Sequence, residues 1–309
     1  MDVVTVFGAS GFIGRYVVGE IAKTGARVRA AVRRPDSASF LKPMGDVGQV
    51  TPVAANIRDD ASVAAAVDGA DTVINLVGIL FPGGKQSFNA LQADGAQRVA
   101  QAAKTAGAER LVHMSAIGAD PQSDSVYAST KGIGEQRVQE AFPGACIVRP
   151  SLVFGPEDEF FNKFAAIARL TPALPLIGGG HTKFQPVYVG DVAAAVASIC
   201  GSPKTAGTTY ELGGPQVYSF RQLMEILLDQ IGRKRLLAPV PFPIAKLQAA
   251  LLELSPIPIL TRDQVRLLQH DNVVSGAFPG LDDLGVDATA LEAILPGYLR
   301  RYRRGVWHT

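Results

Sequence analysis

A tyrosine and a lysine lie one helical turn apart in the stretch YASTKGIGE, as Tyr127 and Lys131. Residues at i and i+4 share one face of a helix, so their side chains can act together. A tyrosine hydroxyl can give or accept a proton, and a nearby lysine charge lowers the pKa of that hydroxyl. The pair therefore indicates proton-transfer chemistry, although a helix that only carries two polar residues has the same pattern.

Gly8, Gly11 and Gly14 follow the apolar run VTVF and precede an apolar helical pattern. In such a turn the first glycine makes the tight bend, the second lets the backbone approach a pyrophosphate, and the third allows close packing of helix on strand. The phosphates then lie at the helix N-terminus, where free N–H groups favour anions. The position predicts a dinucleotide site, and a glycine-rich turn without a ligand is the alternative.

The second predicted strand ends in Arg33 and Arg34, where an NAD-binding fold usually has an acidic residue for the ribose hydroxyls. Arginine forks bind a phosphate well and offer little to a pair of hydroxyls. Arg15 could reach the same region, and Asp36 follows too late to take the acid's place. These charges favour NADP(H) over NAD(H), with a solvated surface position for Arg33 as the alternative.

Short β-branched runs alternate with alanine-rich helical patterns over the first half of the chain. This alternation predicts an α/β fold, a Rossmann-type doubly wound parallel sheet. We expect strands at Val3–Phe7, Val28–Val32, Val50–Ala54, Thr72–Leu76, Arg110–Met114 and Ala145–Arg149, and helices at Ile13–Lys23, Ser62–Val67, Asn89–Ala106 and Ala128–Ala141.

After RPSLVFGP the alternation ends, and prolines and glycines become frequent. We expect residues 1–155 to form the nucleotide-binding domain, with some later segments returning to it. Residues 156–309 then form a smaller, irregular C-terminal lobe, which we expect to pack at the carboxyl edge of the sheet and to dock to partners.

The composition is that of a globular protein with a large core: 309 residues, 47% of them hydrophobic, with a formal net charge of +2. This near-neutral charge gives no reason to expect nucleic-acid binding. Cys146 and Cys200 lie in apolar segments, so we expect two buried, reduced thiols. We expect neither a transmembrane span nor a metal site.

The GxxGxxG spacing and the YxxxK pair resemble the short-chain dehydrogenase/reductase superfamily. The segments IVRPSLVFGP, PVYVGDVAAAV and YELGGP, in this order, are similar to its extended or atypical members, which include sugar-nucleotide epimerases and dehydratases. The resemblance implies that Lys131 binds the nicotinamide ribose and that Asn56 and Ile57, in ANIRD, contact the adenine. It also implies that NLVG, from Asn75 to Gly78, passes under the nicotinamide ribose.

Chemistry in this superfamily also needs a serine or threonine after the fifth strand, which orients the substrate oxygen. Here RLVHMSAIGAD has Ser115 followed by Ala116. Extended members have two successive hydroxyl residues, of which the second is catalytic, so the resemblance places Ala116 in the catalytic position. A register different by one residue gives that role to Ser115. Tyr127, Lys131 and Ser115 are therefore candidates for a catalytic set that has lost its activity.

The C-terminal half is most similar to one family in particular. The segments ELSPIPILTRDQVRLLQHDNVV, FPGLDDLGVDATALE and KFQPVYVGDVA resemble the NADPH-holding accessory subunit of respiratory complex I, the NADH:ubiquinone oxidoreductase, and the resemblance runs from Val4 to about Arg304. It implies a tightly held structural NADPH, without hydride exchange, in a subunit that supports the assembly or stability of the peripheral arm near the quinone site. It also implies a peripheral location on the cytoplasmic face of a bacterial inner membrane, or on the matrix face in a mitochondrion.

The resemblance implies a set of nucleotide contacts: Gly8, Ser10, Gly11, Phe12, Ile13, Gly14, Arg15, Arg33, Arg34, Asn56, Ile57, Leu76, Val77, Gly78, Ser115, Tyr127, Lys131, Pro150 and Val153. Two other functions stay open. One is a free-standing NAD(P)-dependent reductase, epimerase or dehydratase acting on a nucleotide sugar or another carbonyl substrate. The other is a redox-sensing regulator of the same fold.

Two C-terminal features suit docking. The tail YLRRYRRGVWHT combines arginines with aromatic residues, which suits an anionic membrane surface or an acidic partner, with a solvated helix end as the alternative; its members are Tyr298, Arg300, Arg301, Tyr302, Arg303, Arg304 and Trp307. The segment PFPIAKLQAALLELSPIPIL is too apolar for a free surface, so we expect it in the core or at an interface.

Overall fold

The computed structural model describes residues 2–255 and 258–303. Its strands are β1 (Val3–Phe7), β2 (Arg27–Val32), β3 (Val50–Ala54), β4 (Thr72–Asn75), β5 (Arg110–Met114), β6 (Cys146–Pro150), β7 (Val153–Phe154), β8 (Ala173–Ile177), β9 (Lys183–Phe184), β10 (Val187–Tyr188), β11 (Thr209–Leu212), β12 (Tyr218–Ser219) and β13 (Leu236–Val240). Its α-helices are α1 (Phe12–Lys23), α2 (Asp60–Val67), α3 (Asp94–Thr105), α4 (Val126–Ala141), α5 (Phe160–Leu170), α6 (Val189–Gly201), α7 (Phe220–Gln230), α8 (Phe242–Leu252), α9 (Arg262–Leu267) and α10 (Leu291–Leu299).

Seven of these strands form one sheet, in the order β11-β6-β5-β4-β1-β2-β3. All of its neighbouring pairs are parallel. The strand order changes direction between β1 and β4, and in doubly wound folds ligands bind at this point, outside the carboxyl ends of the strands. The predicted α/β fold is confirmed, and the six predicted strands begin and end within one residue of the observed ones.

Contacts divide the chain into two compact units. The first contains Met1–Pro150, Gly190–Leu212 and Gly276–Asp287, and the second contains Ser151–Val189, Gly213–Ser275 and Ala288–Thr309, so far as these ranges are described. The chain thus leaves the first unit at the end of β6 and returns to it twice.

Buried and mostly apolar strand and helix residues build the centre of the first unit. Val4 and Val6 in β1 and Ile74 in β4 have no exposed surface, as do Val99 and Ala100 in α3. A parallel sheet covered by helices on both faces buries successive strand residues, so its strands need no alternation of apolar and polar residues. This rigid sheet fixes the positions of the loops that follow β1 to β5.

The predicted helix Asn89–Ala106 differs from the structure. A π-helical turn occupies Asn89–Ala93, and the α-helix α3 begins only at Asp94. Such turns insert an extra residue and occur mostly as single turns, frequently at functional sites. Here the buried Gln92 lies in the turn and bonds to two other elements of the first unit.

An aromatic cluster forms the core of the second unit, with Phe154, Phe161 and Phe220 almost fully buried. Tyr298 belongs to this cluster and donates a hydrogen bond to the Asp158 carboxylate. Its assignment to an interfacial aromatic group is therefore wrong, because its ring and its hydroxyl are both engaged inside the unit.

The rest of the arginine-rich tail is described in part. Arg300, Arg301 and Arg303 are exposed, and Tyr302 is half-buried. Arg304 and Trp307 lie outside the described residues. Within the ranges that are described, none of the helices has the length and apolar character needed to cross a membrane.

Candidate functional site

The glycine turn after β1 is shaped by contacts that leave no room for side chains. Gly8 has φ +78°, a region that favours glycine, and a Cβ there would lie 3.2 Å from the Leu76 carbonyl carbon. A Cβ on Gly14 would lie 2.8 Å from the Ala9 backbone. The turn is therefore held against the loop after β4 on one side and against α1 on the other.

Helix α1 begins at the turn with open backbone donors. Gly11 is its N-cap residue and has no side chain to accept a hydrogen bond from the first turn, and that turn contains no acidic residue. Free N–H groups and the positive end of the helix dipole make such a terminus a binding site for anions. The Gly8 and Gly11 N–H groups donate to the Ala31 and Gly8 carbonyl oxygens, so the geometry suits a phosphate group at the first turn of α1.

A cavity opens beside this turn, at the carboxyl ends of β1 to β4, with a volume of about 210 Å³. Nine of the predicted contact residues line it: Gly8, Ser10, Gly11, Arg33, Asn56, Ile57, Leu76, Val77 and Gly78. Its other lining residues are Phe7, Ala31, Val32, Ala55, Arg58, Ile79, Gln86 and Leu91. The sequence pattern thus locates the cavity, and the fold supplies its remaining wall.

The charge in the cavity wall is entirely positive. Among the described residues that line it, Arg33 and Arg58 are charged and none has a carboxylate. Arg58 donates a hydrogen bond to the Lys85 carbonyl oxygen at 3.0 Å, which ties it to the loop that carries Gln86. Arg34 is exposed and does not line the cavity. The wall suits an anionic group more than a pair of ribose hydroxyls.

Helix α1 carries the other basic candidate. The Arg15 guanidinium lies 5.1 Å from the centre of the Phe40 ring, a cation–π contact. Phe40 belongs to a 3₁₀ helix, Asp36–Met44, that follows β2. This contact fixes the guanidinium beside the segment after Arg33 and Arg34. Phe12 and Ile13 lie half-buried in the first turn of α1, and neither lines the cavity.

The loop after β4 links the cavity to the tyrosine–lysine pair. The Asn75 side-chain Oδ1 accepts a hydrogen bond from the Val77 backbone N–H at 3.2 Å, which shapes the turn. Gly78 follows, and a Cβ there would lie 3.4 Å from the Lys131 Nζ. The absence of a side chain at Gly78 therefore keeps the space beside the ammonium group open.

Lys131 is buried in α4, and its Nζ donates a hydrogen bond to the Met114 carbonyl oxygen at 2.9 Å. Burial lowers the pKa of Lys131 to about 8, and the negative charge of Glu135 opposes this shift. The ammonium group is thus held at the end of β5 with one backbone partner. Its remaining N–H groups can bind a ligand oxygen.

Tyr127 is half-buried, and its ring meets Phe88 edge to face at a centroid distance of 5.9 Å. Desolvation raises the pKa of Tyr127 to about 12. Burial disfavours the charged tyrosinate, so this pKa lies above its ordinary value, and the expectation that Lys131 lowers it stays a prediction. The hydroxyl is therefore a donor rather than a base near neutral pH.

The end of β5 is where a serine hydroxyl could orient a substrate oxygen. Ser115 is buried, and its hydroxyl has no hydrogen-bond partner among the described residues. His113 lies two positions earlier, and burial lowers its pKa to about 3, so its ring is neutral. Ala116 is half-exposed and offers no hydroxyl. The more accessible position after the strand is therefore the one without a functional group.

Two networks hold α4 in place. Gln92 donates to the Ile79 carbonyl oxygen at 2.9 Å and accepts from the Thr130 hydroxyl at 2.9 Å, which joins the loop after β4 to the helix. Farther along α4, Glu135 forms a two-pronged ion pair with Arg149, at 2.9 Å and 2.5 Å. Together they fix Lys131, which lies between Thr130 and Glu135.

Two predicted contacts lie at the end of the nucleotide-binding segment. Pro150 ends β6 in the first unit, and Val153 belongs to β7 in the second unit. Neither lines the cavity.

Arg58, Gln86, Phe88 and Gln92 are the residues that sequence reasoning missed. Arg58 could have been found, because it directly follows Asn56 and Ile57 in the quoted motif ANIRD. The other three lie in a loop and a π-helical turn whose geometry the sequence pattern did not predict.

The chain is similar to known proteins over most of its length. The model of the NAD dependent epimerase/dehydratase family matches residues 4–213. Subunit 9 of the NADH dehydrogenase [ubiquinone] 1 alpha subcomplex from Arabidopsis thaliana is 39% identical, over 98% of this chain and 78% of that protein. The chain belongs to the family of these subunit 9 proteins, within the NAD dependent epimerase/dehydratase family. The mouse subunit 9 is 37% identical over 99% of this chain and 81% of its own length.

Some similar proteins have the names of enzymes. The ceramide reductase of Caulobacter vibrioides is 31% identical over 78% of this chain and 74% of that protein. Among solved structures, the dTDP-glucose 4,6-dehydratase DesIV from Streptomyces venezuelae, with NAD bound, covers 98% of this chain and 97% of its own, with a TM-score of 0.74 and 21% identity. This likeness shows a shared fold.

Proposed function

We propose that this chain is an accessory subunit of respiratory complex I that holds NADPH as a structural element and stabilises the peripheral arm near the quinone site. The observation that carries the proposal is the similarity to subunit 9 proteins of NADH dehydrogenase along almost the whole chain. The nucleotide cavity, and a tyrosine–lysine site that is followed by no hydroxyl at position 116, support the same conclusion.

The pyrophosphate of the nucleotide would be held at the N-terminus of α1, where Gly11 provides no side-chain cap and the helix dipole favours an anion. The cavity lined by Arg33 and Arg58 would hold the adenosine half of the nucleotide. Two guanidinium groups and no carboxylate favour a 2′-phosphate over free ribose hydroxyls, so NADP(H) binds more tightly than NAD(H). Arg15 adds positive charge from α1.

Lys131 donates to the nicotinamide ribose, and Tyr127 lies beside it as a neutral donor. Turnover needs a base and a polarising hydroxyl. The Tyr127 pKa of about 12 and the alanine at position 116 disfavour both functions. Tyr127, Lys131 and Ser115 therefore serve to hold the nucleotide, and the chain has no hydride-transfer activity of its own.

The chain attaches at the membrane surface, on the cytoplasmic face in a bacterium or the matrix face in a mitochondrion. The similarity to mitochondrial subunit 9 proteins supports this location. Exposed Arg300, Arg301 and Arg303 support contact with an anionic surface or an acidic partner. In this proposal the second unit, which contains most of residues 156–309, docks to the partner subunits and the membrane surface.

A free-standing reductase is the second candidate. The similarity to a ceramide reductase favours it, as does the retained tyrosine–lysine spacing. Under this alternative, a carbonyl substrate accepts hydride from NAD(P)H, and Tyr127 supplies the proton.

Purification from solubilised native membranes distinguishes the two. We expect the chain to comigrate with NADH:quinone activity on native gels and to release NADP(H) on denaturation. A chain that always migrates as a free monomer or dimer contradicts the accessory role. Carbonyl turnover that is lost in Tyr127→Phe supports the reductase instead.

Nucleotide preference has its own test with a matched control. Replacing Arg33 with alanine removes a charge-assisted contact, so NADPH binding weakens by roughly tenfold or more while NADH binding changes little. Arg34→Ala removes the same charge from an exposed neighbour outside the cavity wall and leaves both affinities close to wild type. Equal losses for both nucleotides in Arg33→Ala would count against the 2′-phosphate assignment.

A further inference from the structure

Helix α8 turns its small residues inward and its large aliphatic residues outward. Ala245 and Ala249 are fully buried and pack in a cluster with Ile177 and Val265. On the other side of the helix, Leu247 and Leu251 are each 67% exposed, and Ile244 is 51% exposed. Leu254, just after the helix, is 84% exposed.

These four residues form one surface, which we call the α8 apolar face: Ile244, Leu247, Leu251 and Leu254. With about 100° per residue they fall on one side of the helical wheel, opposite Ala245 and Ala249. Gln248 lies at one edge of this face, and Lys246 lies about 80° beyond Leu254, toward the buried side of the helix. Contiguous exposed apolar patches mark interaction sites. The face is therefore covered when the protein works.

Basic side chains lie on α8 and beside the segment that follows it in the second unit. Lys246 is exposed on α8 itself, and the Glu253 carboxylate is paired with Arg262 at 2.7 Å. Downstream of the helix, the Ile259 carbonyl oxygen accepts a hydrogen bond from the Lys163 Nζ of α5. Asn162, next to Lys163, accepts one from Arg301. The segment after α8 and the arginine-rich end thus meet at the same turn of α5.

The chemistry of the face favours lipid over a protein partner. Its four members are all aliphatic, with no aromatic residue or arginine among them. Protein interfaces depend on aromatic and arginine anchors, and leucine is under-represented among their energetic hot spots. Helices that lie in a bilayer surface need apolar area and flanking cations instead, and the cations bind anionic headgroups.

We propose that the α8 apolar face inserts into the surface of an anionic lipid bilayer. The helix lies parallel to the membrane plane, with its leucines in the acyl boundary and its basic neighbours at the headgroups. This deepens the proposed peripheral attachment and assigns it to α8 in addition to the arginine-rich end.

Vesicle flotation of the purified full-length chain tests the proposal. We expect binding to phosphatidylcholine vesicles that contain about 30% phosphatidylglycerol, and much weaker binding to phosphatidylcholine alone. The double variant Leu247→Gln/Leu251→Gln should bind the anionic vesicles about tenfold or more weakly, because two exposed leucines no longer gain burial. Val47→Gln replaces a fully exposed aliphatic residue of the first unit and should bind as wild type does.

Three results would overturn the inference. The wild-type chain fails to bind either vesicle, or the double variant binds as well as wild type. In the third, the double variant, but not Val47→Gln, loses a concentration-dependent dimer or the association with purified complex I in detergent. That result would show that the α8 apolar face binds a protein. Nucleotide binding by the double variant confirms its folding. Vesicle binding and comigration with NADH:quinone activity are separate readouts, so either proposal can fail without the other.

Discussion

Replacing Lys131 with methionine isolates the cost of burying its ammonium group. The pKa of Lys131 falls from its ordinary value of 10.5 to about 8 because burial disfavours the charged form. That difference corresponds to about 3 kcal/mol, an order-of-magnitude figure, of cost to the folded state below pH 8. The cost is relieved as the pH rises, since the folded chain releases the proton between about pH 8 and 10.5 while the unfolded chain still holds it.

The stability of the wild-type chain relative to Lys131→Met should therefore increase with pH. Between about pH 8 and pH 9.5 the difference in unfolding free energy should move by roughly 2 kcal/mol in favour of wild type. The variant also loses the bond to the Met114 carbonyl oxygen, which lowers its stability at every pH of the scan. Urea unfolding at several pH values measures the difference.

Lys104→Met is the matched control, since Lys104 is exposed on α3 and makes no buried contact. Its stability relative to wild type should stay flat across the same pH range. The scan stops below pH 10 so that Tyr127 stays protonated in both states. Its pKa rises from 10.0 to about 12 on folding, so the stability that it contributes is lost only above pH 10. A flat difference for Lys131→Met would refute the assignment of a buried, desolvated ammonium group.

Further predictions concern packing. Gly14→Ala should lower the unfolding free energy by about 1–3 kcal/mol and weaken nucleotide binding, because its Cβ would meet the Ala9 backbone at 2.8 Å. Gly19→Ala, on the same helix with nothing within 4 Å, should instead stabilise by up to about 1 kcal/mol, and equal effects in urea unfolding would contradict the packing argument. Tyr298→Phe should destabilise by about 1.5–3 kcal/mol, because the buried Asp158 carboxylate loses its hydroxyl donor; an unchanged thermal midpoint would show that the bond contributes little.

Some of the site could be predicted because it depends on local patterns. The turn from Gly8 to Gly14 combines a strand, glycines at fixed spacing and a helix, all within one short segment. Arg33 could be assigned because it directly follows β2, and parallel strands end at the same edge of the sheet. These features are determined by residues close together in the chain.

Other features depend on residues far apart in the chain. Gln92 contacts Ile79 and Thr130 through a π-helical turn, and Arg58 reaches the Lys85 carbonyl oxygen across a loop. Neither contact has a periodic signal, because each depends on where separate segments come together after folding.

The sequence by itself determined the parallel α/β fold, the glycine turn and the tyrosine–lysine spacing, since these follow from periodicity and helix geometry. Only the tertiary structure decided what surrounds them. It buried Tyr127 and Lys131 enough to shift their pKa values, and it placed Tyr298 in the core. It also turned the leucines of α8 outward, although the composition of that segment fits a core helix equally well. Burial is a property of the packed chain, because it is set by the neighbours that folding supplies.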